Sequence, residues 1–163
     1  MYTEELLNEL LSCSKVVTEG WREVPDSRHG TKKVISMTSV DGNDEFTAFY
    51  TQNKYFSEDF SIGLVHVTRT SDGKQILIRC NSAHGPTKHA TGHHISPHTH
   101  KPIAEEINKG NKREIKIEPT DAYSSFETGL HYFGKLINIK TDHRIKHFPA
   151  PRNFSQDLFG DPF

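Results

Sequence analysis

Residues 32–52 read KKVISMTSVDGNDEFTAFYTQ, and this stretch decides the fold. Phe46, Ala48 and Tyr50 recur at every second position, which is the period of a strand with one buried face. The turn residues Asp41-Gly42-Asn43 separate this run from the apolar run before it. Two extended runs around such a turn predict a β-hairpin.

The same pattern continues along the chain. A second turn at Ser71-Asp72-Gly73 lies between two further extended runs, and a last run alternates isoleucine with charge before Pro119. Together these segments predict an antiparallel sheet of about five strands, at residues 32–39, 45–52, 60–69, 74–80 and 113–118.

Two amphipathic segments flank the predicted strands. Residues 3–15 carry leucines at 6, 7, 10 and 11, and a second helix should begin near Ser124, which has capping-box spacing to Glu127. We therefore predict an α+β domain over residues 1–140 with the N-terminal and C-terminal helices on one face of the sheet. The helices should pack against Val34, Phe46, Ile62, Leu64, Ile76 and Ile78.

The C-terminal residues 141–163 have a different composition. They contain Pro149, Pro151 and Pro162, with Phe148, Phe154, Leu158, Phe159 and Phe163 among polar residues and no clear period. This composition predicts an extended aromatic arm. Because aromatic side chains at this density seek a partner surface, the arm should wrap its own domain, exchange within a homodimer or contact a protein partner.

Composition limits the class of protein. The chain has 163 residues, a formal net charge of −1 and no apolar run near twenty residues, so no membrane span is expected. Residues 1–7 are acidic and amphipathic, whereas a signal peptide is basic and then continuously apolar. The two cysteines, Cys13 and Cys80, are far apart in sequence, which favours free thiols in a reducing compartment. We therefore expect a cytoplasmic protein.

Histidine is concentrated in one segment. Residues 83–100 hold six of the eleven histidines, and residues 79–116 hold seven Lys or Arg against three Glu. Histidine can serve as a neutral metal ligand, as a proton donor or acceptor, or as a cation facing phosphate. The segment therefore marks the candidate site, and three chemistries remain open there.

The first chemistry is metal binding. His98 and His100 lie two positions apart and share a face if the segment is extended, which can offer two ligands to a divalent metal such as zinc. A third nitrogen would come from His94, or alternatively from one of the other histidines of the segment, His84, His89 or His93.

The second chemistry is RNA cleavage by a nuclease of the toxin type. His98 and His100 would act as general base and acid, and Arg79 would stabilise the charge of the phosphorane. His84 is a further catalytic candidate in the same segment.

The third chemistry is binding without cleavage. Asn81, Lys88, Lys101, Lys112 and Arg113 could contact a phosphate backbone. No aromatic residue lies between Arg79 and Tyr123, so base stacking is not expected from this segment. The histidines could also belong to an exposed structural loop, and the protein could be an inhibitor or antitoxin-type partner of another protein.

Five short motifs between Phe46 and Ile139 carry a family resemblance. They are FSIGL at 60–64, ILIRCN at 76–81, HGP at 84–86, PHTH at 97–100 and the closing helix with Asn138-Ile139. Together they resemble a family of small bacterial, phage and mobile-element proteins that share an Arg-x-Asn strand end, a His-bearing loop and a Pro-His-x-His element. The resemblance implies a mobile-element context and a site at Arg79, Asn81, His84, His98 and His100, but no particular reaction.

Overall fold

Seven strands form one antiparallel sheet in the computed structural model, which describes residues 1–27, 30–68, 73–83, 95–111 and 115–152. The strands are β1 (Lys15–Asp26), β2 (Gly30–Ser39), β3 (Glu45–Gln52), β4 (Phe60–Val67), β5 (Lys74–Asn81), β6 (His98–Pro102) and β7 (Ile115–Pro119). The helices are α1 (Glu4–Ser12), α2 (Ala104–Asn108), α3 (Phe126–Leu136) and α4 (Thr141–His147). Each strand pairs with its successor, so the sheet is a meander. In the described part of the chain, every helix is too short or too polar to span a bilayer.

The α+β class is confirmed, whereas the prediction of about five strands is wrong in number. The alternation of apolar residues does not predict strands β1 and β6. In β1, pairing irregularities between Val17 and Glu19 and between Glu19 and Arg22 break the two-residue period. Strand β6 has the sequence HTHKP, whose polar side chains carry no apolar pattern.

The first predicted hairpin forms between β2 and β3, with Ile35 opposite Ala48. Its turn uses Gly42 at φ +77°, a left-handed conformation that glycine adopts without steric cost. The carboxylate of Asp41 accepts hydrogen bonds from the backbone N–H of Asn43 at 3.0 Å and from the hydroxyl of Ser39 at 2.6 Å. A fixed turn fixes the register, and the register decides which side chains lie on each face.

Helices α1 and α3 cover one face of this sheet. Each begins at a hydroxyl cap: the side chain of Thr3 accepts from the N–H of Leu6, and that of Ser125 accepts from the N–H of Thr128. Apolar side chains of both helices join those of the strands in one core. Its members include Leu7, Leu10, Leu11, Ile35, Met37, Phe46, Ala48, Ile62, Leu64, Ile78 and Phe133.

Two residues expected in this core lie on the opposite face. Val34 pairs with Phe49 and Ile76 pairs with Val65, and all four line a depression away from the helices. Because Val34 and Ile35 are both apolar, the sequence permits either register, and the folded chain buries Ile35 against the helices. A pairing irregularity between β4 and β5 shifts Ile76 to the other side.

Lys15 is a fully buried cation that joins the first and third helices. Its Nζ donates to the carbonyls of Leu11, Cys13 and Ile137 at 2.9, 2.8 and 2.9 Å and lies 4.7 Å from the centroid of the Phe46 ring. Carbonyls at helix C-termini lack intrahelical partners, so a buried ammonium there satisfies several at once. Burial lowers the pKa of Lys15 to about 8.

The C-terminal region differs from the predicted extended arm. Residues Thr141–His147 form α4, and Phe148 is fully buried with its ring centroid 5.4 Å from that of Trp21. An acidic first turn and a basic last turn favour helix ends, and Pro149 lies beyond the helix rather than within it. Residues 153–163 lie outside the described residues, so an arm exchanged in a homodimer stays a prediction.

Candidate functional site

The pairing of β5 with β6 brings the predicted site residues together. Arg79 lies opposite His100, and Asn81 lies opposite His98. Because directly opposed residues in an antiparallel pair project from the same face, these four side chains share one face of the sheet. It is the face opposite to the one covered by α1 and α3.

The rings of His98 and His100 lie next to each other. Their centroids are 4.9 Å apart and their planes are tilted by 33°. His98 is fully buried, and its Nδ1 lies 2.9 Å from the carbonyl oxygen of Ser96. Since a carbonyl only accepts, Nδ1 carries the proton, which fixes the tautomer of the neutral ring. His100 is half-buried and lines a depression of about 220 Å³ together with Arg79.

Tyr123 holds the ends of β5 and β6 beside each other, a role that the sequence did not indicate. Its hydroxyl lies 2.8 Å from the carbonyl oxygen of Asn81 and 3.0 Å from that of His98. Burial raises the pKa of Tyr123, so the hydroxyl stays protonated and able to donate. The side chain of Asn81 is also engaged, because its Oδ1 accepts a 2.7 Å hydrogen bond from the hydroxyl of Ser61.

Lys101 and Cys80 belong to the other face. Lys101 pairs with Lys116, and both line a groove beside α1 that also includes Glu4. Cys80 is fully buried, and burial raises the pKa of its thiol to about 12. A thiol of this kind stays protonated at neutral pH, and Cys80 pairs with Thr99, so its side chain lies on the opposite face from those of His98 and His100. The predicted binding set is therefore divided between two faces.

The remaining predicted residues, His84, Lys88, His94, Lys112 and Arg113, lie outside the described residues. Within the described ranges no group of three His, Cys, Asp or Glu could hold a metal ion. His98 and His100 supply two side chains to such a group, and the third was predicted in the segment that is not described. The divalent metal site therefore stays a prediction.

A larger depression on the same face was not predicted. It has a volume of about 580 Å³ and an apolar floor that includes Val34, Phe49, Val65 and Ile76. Four cations line it, and we call this set the cationic face: Arg22, Lys32, Lys74 and Arg79. Among the described lining residues, Asp26 is the one carboxylate.

Phe49 lies between two of these cations. The Nζ of Lys32 is 5.6 Å and the Cζ of Arg79 is 5.8 Å from the centroid of the Phe49 ring. Cations at this distance are attracted by the π face of an aromatic ring. The ring therefore helps to hold two long side chains over the same part of the depression.

Comparisons with protein-family models, with curated proteins and with solved structures found no match for this chain.

Proposed function

We propose that the chain binds nucleic acid through the cationic face and the adjoining His100. The observation that carries this proposal is charge: in the described part of the chain, four cations against one carboxylate line the open depression. Glu19 pairs with Arg22 at 3.5 Å, and an excess of positive charge remains at Lys32, Lys74 and Arg79. A phosphate backbone presents regularly spaced negative charge, and its neutralisation by Lys and Arg releases bound counterions. The setting would be a cytoplasmic protein of a phage or mobile element.

The individual side chains suit this role. The guanidinium of Arg79 can donate two parallel hydrogen bonds to one phosphate, whereas the ammonium of Lys32 acts as a point charge. The apolar floor beneath them is a low-dielectric wall, which strengthens the attraction.

Fluorescence anisotropy with labelled oligonucleotides tests the proposal. Affinity should fall with salt, by about 0.7 log unit per log unit of salt for each neutralised phosphate of a single strand. Lys32→Gln and Arg79→Gln should each weaken binding and reduce this slope. Lys135→Gln, an exposed lysine on α3, is the matched control and should bind like the wild type.

Absence of binding to RNA and DNA at low salt would overturn the proposal. A protein partner of the inhibitor or antitoxin type would then be the leading function, with the residues that follow the buried Phe148 as the contact to test.

One observation favours an RNA-cleaving enzyme as the second candidate. Arg79 and His100 line the same small depression, so an acid–base group and a cation adjoin one concave surface. In such a reaction the 2′-oxygen attacks phosphorus, the bond to the 5′-oxygen breaks, and the products are a 2′,3′-cyclic phosphate and a 5′-hydroxyl. His100 would accept the proton of the attacking 2′-hydroxyl and return it to the departing 5′-oxygen, and Arg79 would stabilise the phosphorane.

One variant distinguishes RNA cleavage from RNA binding. His100→Gln should abolish the cyclic phosphate product. It should weaken RNA binding by no more than about threefold, because the four cations of the cationic face remain. His98 is buried, so we assign it a positioning role beside His100. RNA that remains intact with the wild-type protein would exclude the enzyme and leave the binding function.

A further inference from the structure

The loop between β3 and β4 exposes two adjacent aromatic side chains. Tyr55 is 84% exposed and Phe56 is 71% exposed. Aromatic rings of this size gain free energy when they leave water, so two neighbouring exposed rings mark a contact surface.

Hydrogen bonds hold the backbone of this loop in one conformation. The Oδ1 of Asn53 accepts from the N–H of Tyr55 at 2.8 Å and from that of Phe56 at 3.2 Å. The N–H of Asn53 donates to the carbonyl of Asp59, and the N–H of Asp59 donates to that of Phe56, both at 2.9 Å. The two rings are thus presented from an ordered turn, which lowers the entropy lost on binding.

The loop lies at the same end of the sheet as the histidine pair. Strand β3 ends there and β4 begins there, next to the end of β5 and the start of β6. The N–H of Phe60 donates to the hydroxyl of Ser82 at 2.9 Å, which ties the loop to the residue after Asn81. The Phe and Tyr rings that residues 80–122 lack are therefore supplied by another part of the chain.

We propose that the nucleic acid is single-stranded and that Tyr55 and Phe56 stack against its bases. This inference rests on the proposed function, because the cationic face would hold the phosphates of the same strand. Bases in a duplex are already stacked on each other, whereas those of a single strand offer free faces to aromatic side chains. Every base has such a face, so binding is tolerant of sequence.

The charges of the loop allow this arrangement. Lys54 precedes the two rings and can contact a phosphate. The carboxylate of Asp59 is engaged by the side chains of Asn53 and Ser82, each at 3.4 Å. Glu58 is exposed and repels phosphate, so the strand should run on the Lys54 side of the rings.

The test is anisotropy at low salt with labelled oligo-dT, oligo-U and a DNA duplex of equal length. Tyr55→Ala and Phe56→Ala should each weaken single-strand binding about tenfold and leave duplex binding unchanged. Tyr55→Phe should retain wild-type affinity. Val40→Ala and Ile145→Ala remove exposed apolar side chains elsewhere and should change affinity less than twofold.

A direct readout uses Phe56→Trp. Its added emission should be quenched by oligo-dT and not by the same concentration of inorganic phosphate. If the alanine variants bind single strands like the wild type while Lys32→Gln and Arg79→Gln bind weakly, stacking is wrong and phosphate binding stands. If the wild type prefers the duplex, the single-strand inference is overturned, and if it binds no nucleic acid, both proposals fail.

Discussion

The ring of Phe49 in β3 approaches the backbone of Gly63 in β4 with its Cε1–Cζ edge. A Cβ added at Gly63 would be 2.5 Å from both Cε1 and Cζ of that ring. The two residues are directly opposed in the sheet. Because glycine has no Cβ, there is room for the ring between Lys32 and Arg79. The arrangement of the cationic face therefore depends on glycine at position 63.

Gly63→Ala should displace the ring of Phe49. We expect a loss of about 1–3 kcal/mol in the free energy of unfolding, because an extra methyl group overpacks the site, and weaker binding of oligo-dT. Urea denaturation and anisotropy measure the two effects. Gly20→Ala is the matched control in β1, since its added Cβ would only reach ordinary contact with the side chain of His147 at 3.4 Å. Equal stability of the two variants would contradict the role given to Gly63.

Tyr123→Phe should loosen the junction of β5 and β6. Removal of a hydroxyl whose one proton is shared between two buried carbonyls should cost about 1–2 kcal/mol of unfolding free energy. Chemical denaturation checks the value, and amide hydrogen exchange in β6 should accelerate. Tyr55→Phe removes a hydroxyl from an exposed ring and should change stability by less than about 0.5 kcal/mol. Unchanged exchange in β6 would show that Tyr123 does not hold the strands together.

Lys15 should make stability depend on alkaline pH. Its pKa is lowered from 10.5 to about 8 in the folded chain, so between these pH values the unfolded chain binds more protons. The free energy of unfolding of the wild type should therefore rise with pH across this window, by about 3 kcal/mol relative to Lys15→Met. Denaturation curves of both proteins from pH 7 to 10.5 give the difference. A constant difference would mean that burial does not perturb this lysine.

Phe148→Ala should destabilise the domain by about 3–5 kcal/mol, because a fully buried ring is removed from contact with Trp21 and Phe133. Phe56→Ala, at an exposed position, is the control. Thermal and urea denaturation measure the effect. A loss below about 1 kcal/mol would mean that this part of the C-terminal region contributes little to its own domain.

Metal analysis tests the predicted zinc site. If His98, His100 and His94 hold a divalent metal, protein prepared without a histidine tag should carry about one ion, and a chelator should lower the melting temperature. His94→Ala should reduce metal content, whereas His131→Ala, on α3, should not. Protein that contains no metal, and whose melting temperature is unchanged by a chelator, would show that the predicted metal site is wrong.

Sequence patterns predict the parts of this fold that depend on neighbours along the chain. The hairpin at Gly42 and the apolar stripes of α1 and α3 follow from local spacing, and histidine density points to His98 and His100. The bulged strand β1 is missed because its period is broken, and α4 is missed because nearby prolines suggest an extended chain. The cationic face depends on register across several strands. Local sequence patterns therefore do not predict that Lys32 and Phe49 lie beside Arg79.

The meander order also has a consequence for how the chain folds. Each strand pairs with its immediate successor, so the sheet has a lower contact order than one with crossovers and can assemble strand by strand as the chain leaves the ribosome. Contacts between the first and last elements depart from this order, and Lys15 is a buried example, because one of its three carbonyl partners belongs to Ile137, which is 122 residues away. Its ammonium is fully satisfied only after nearly the whole domain has been synthesised. Because of this buried lysine, the last helices must be complete before the core can close around the first helix.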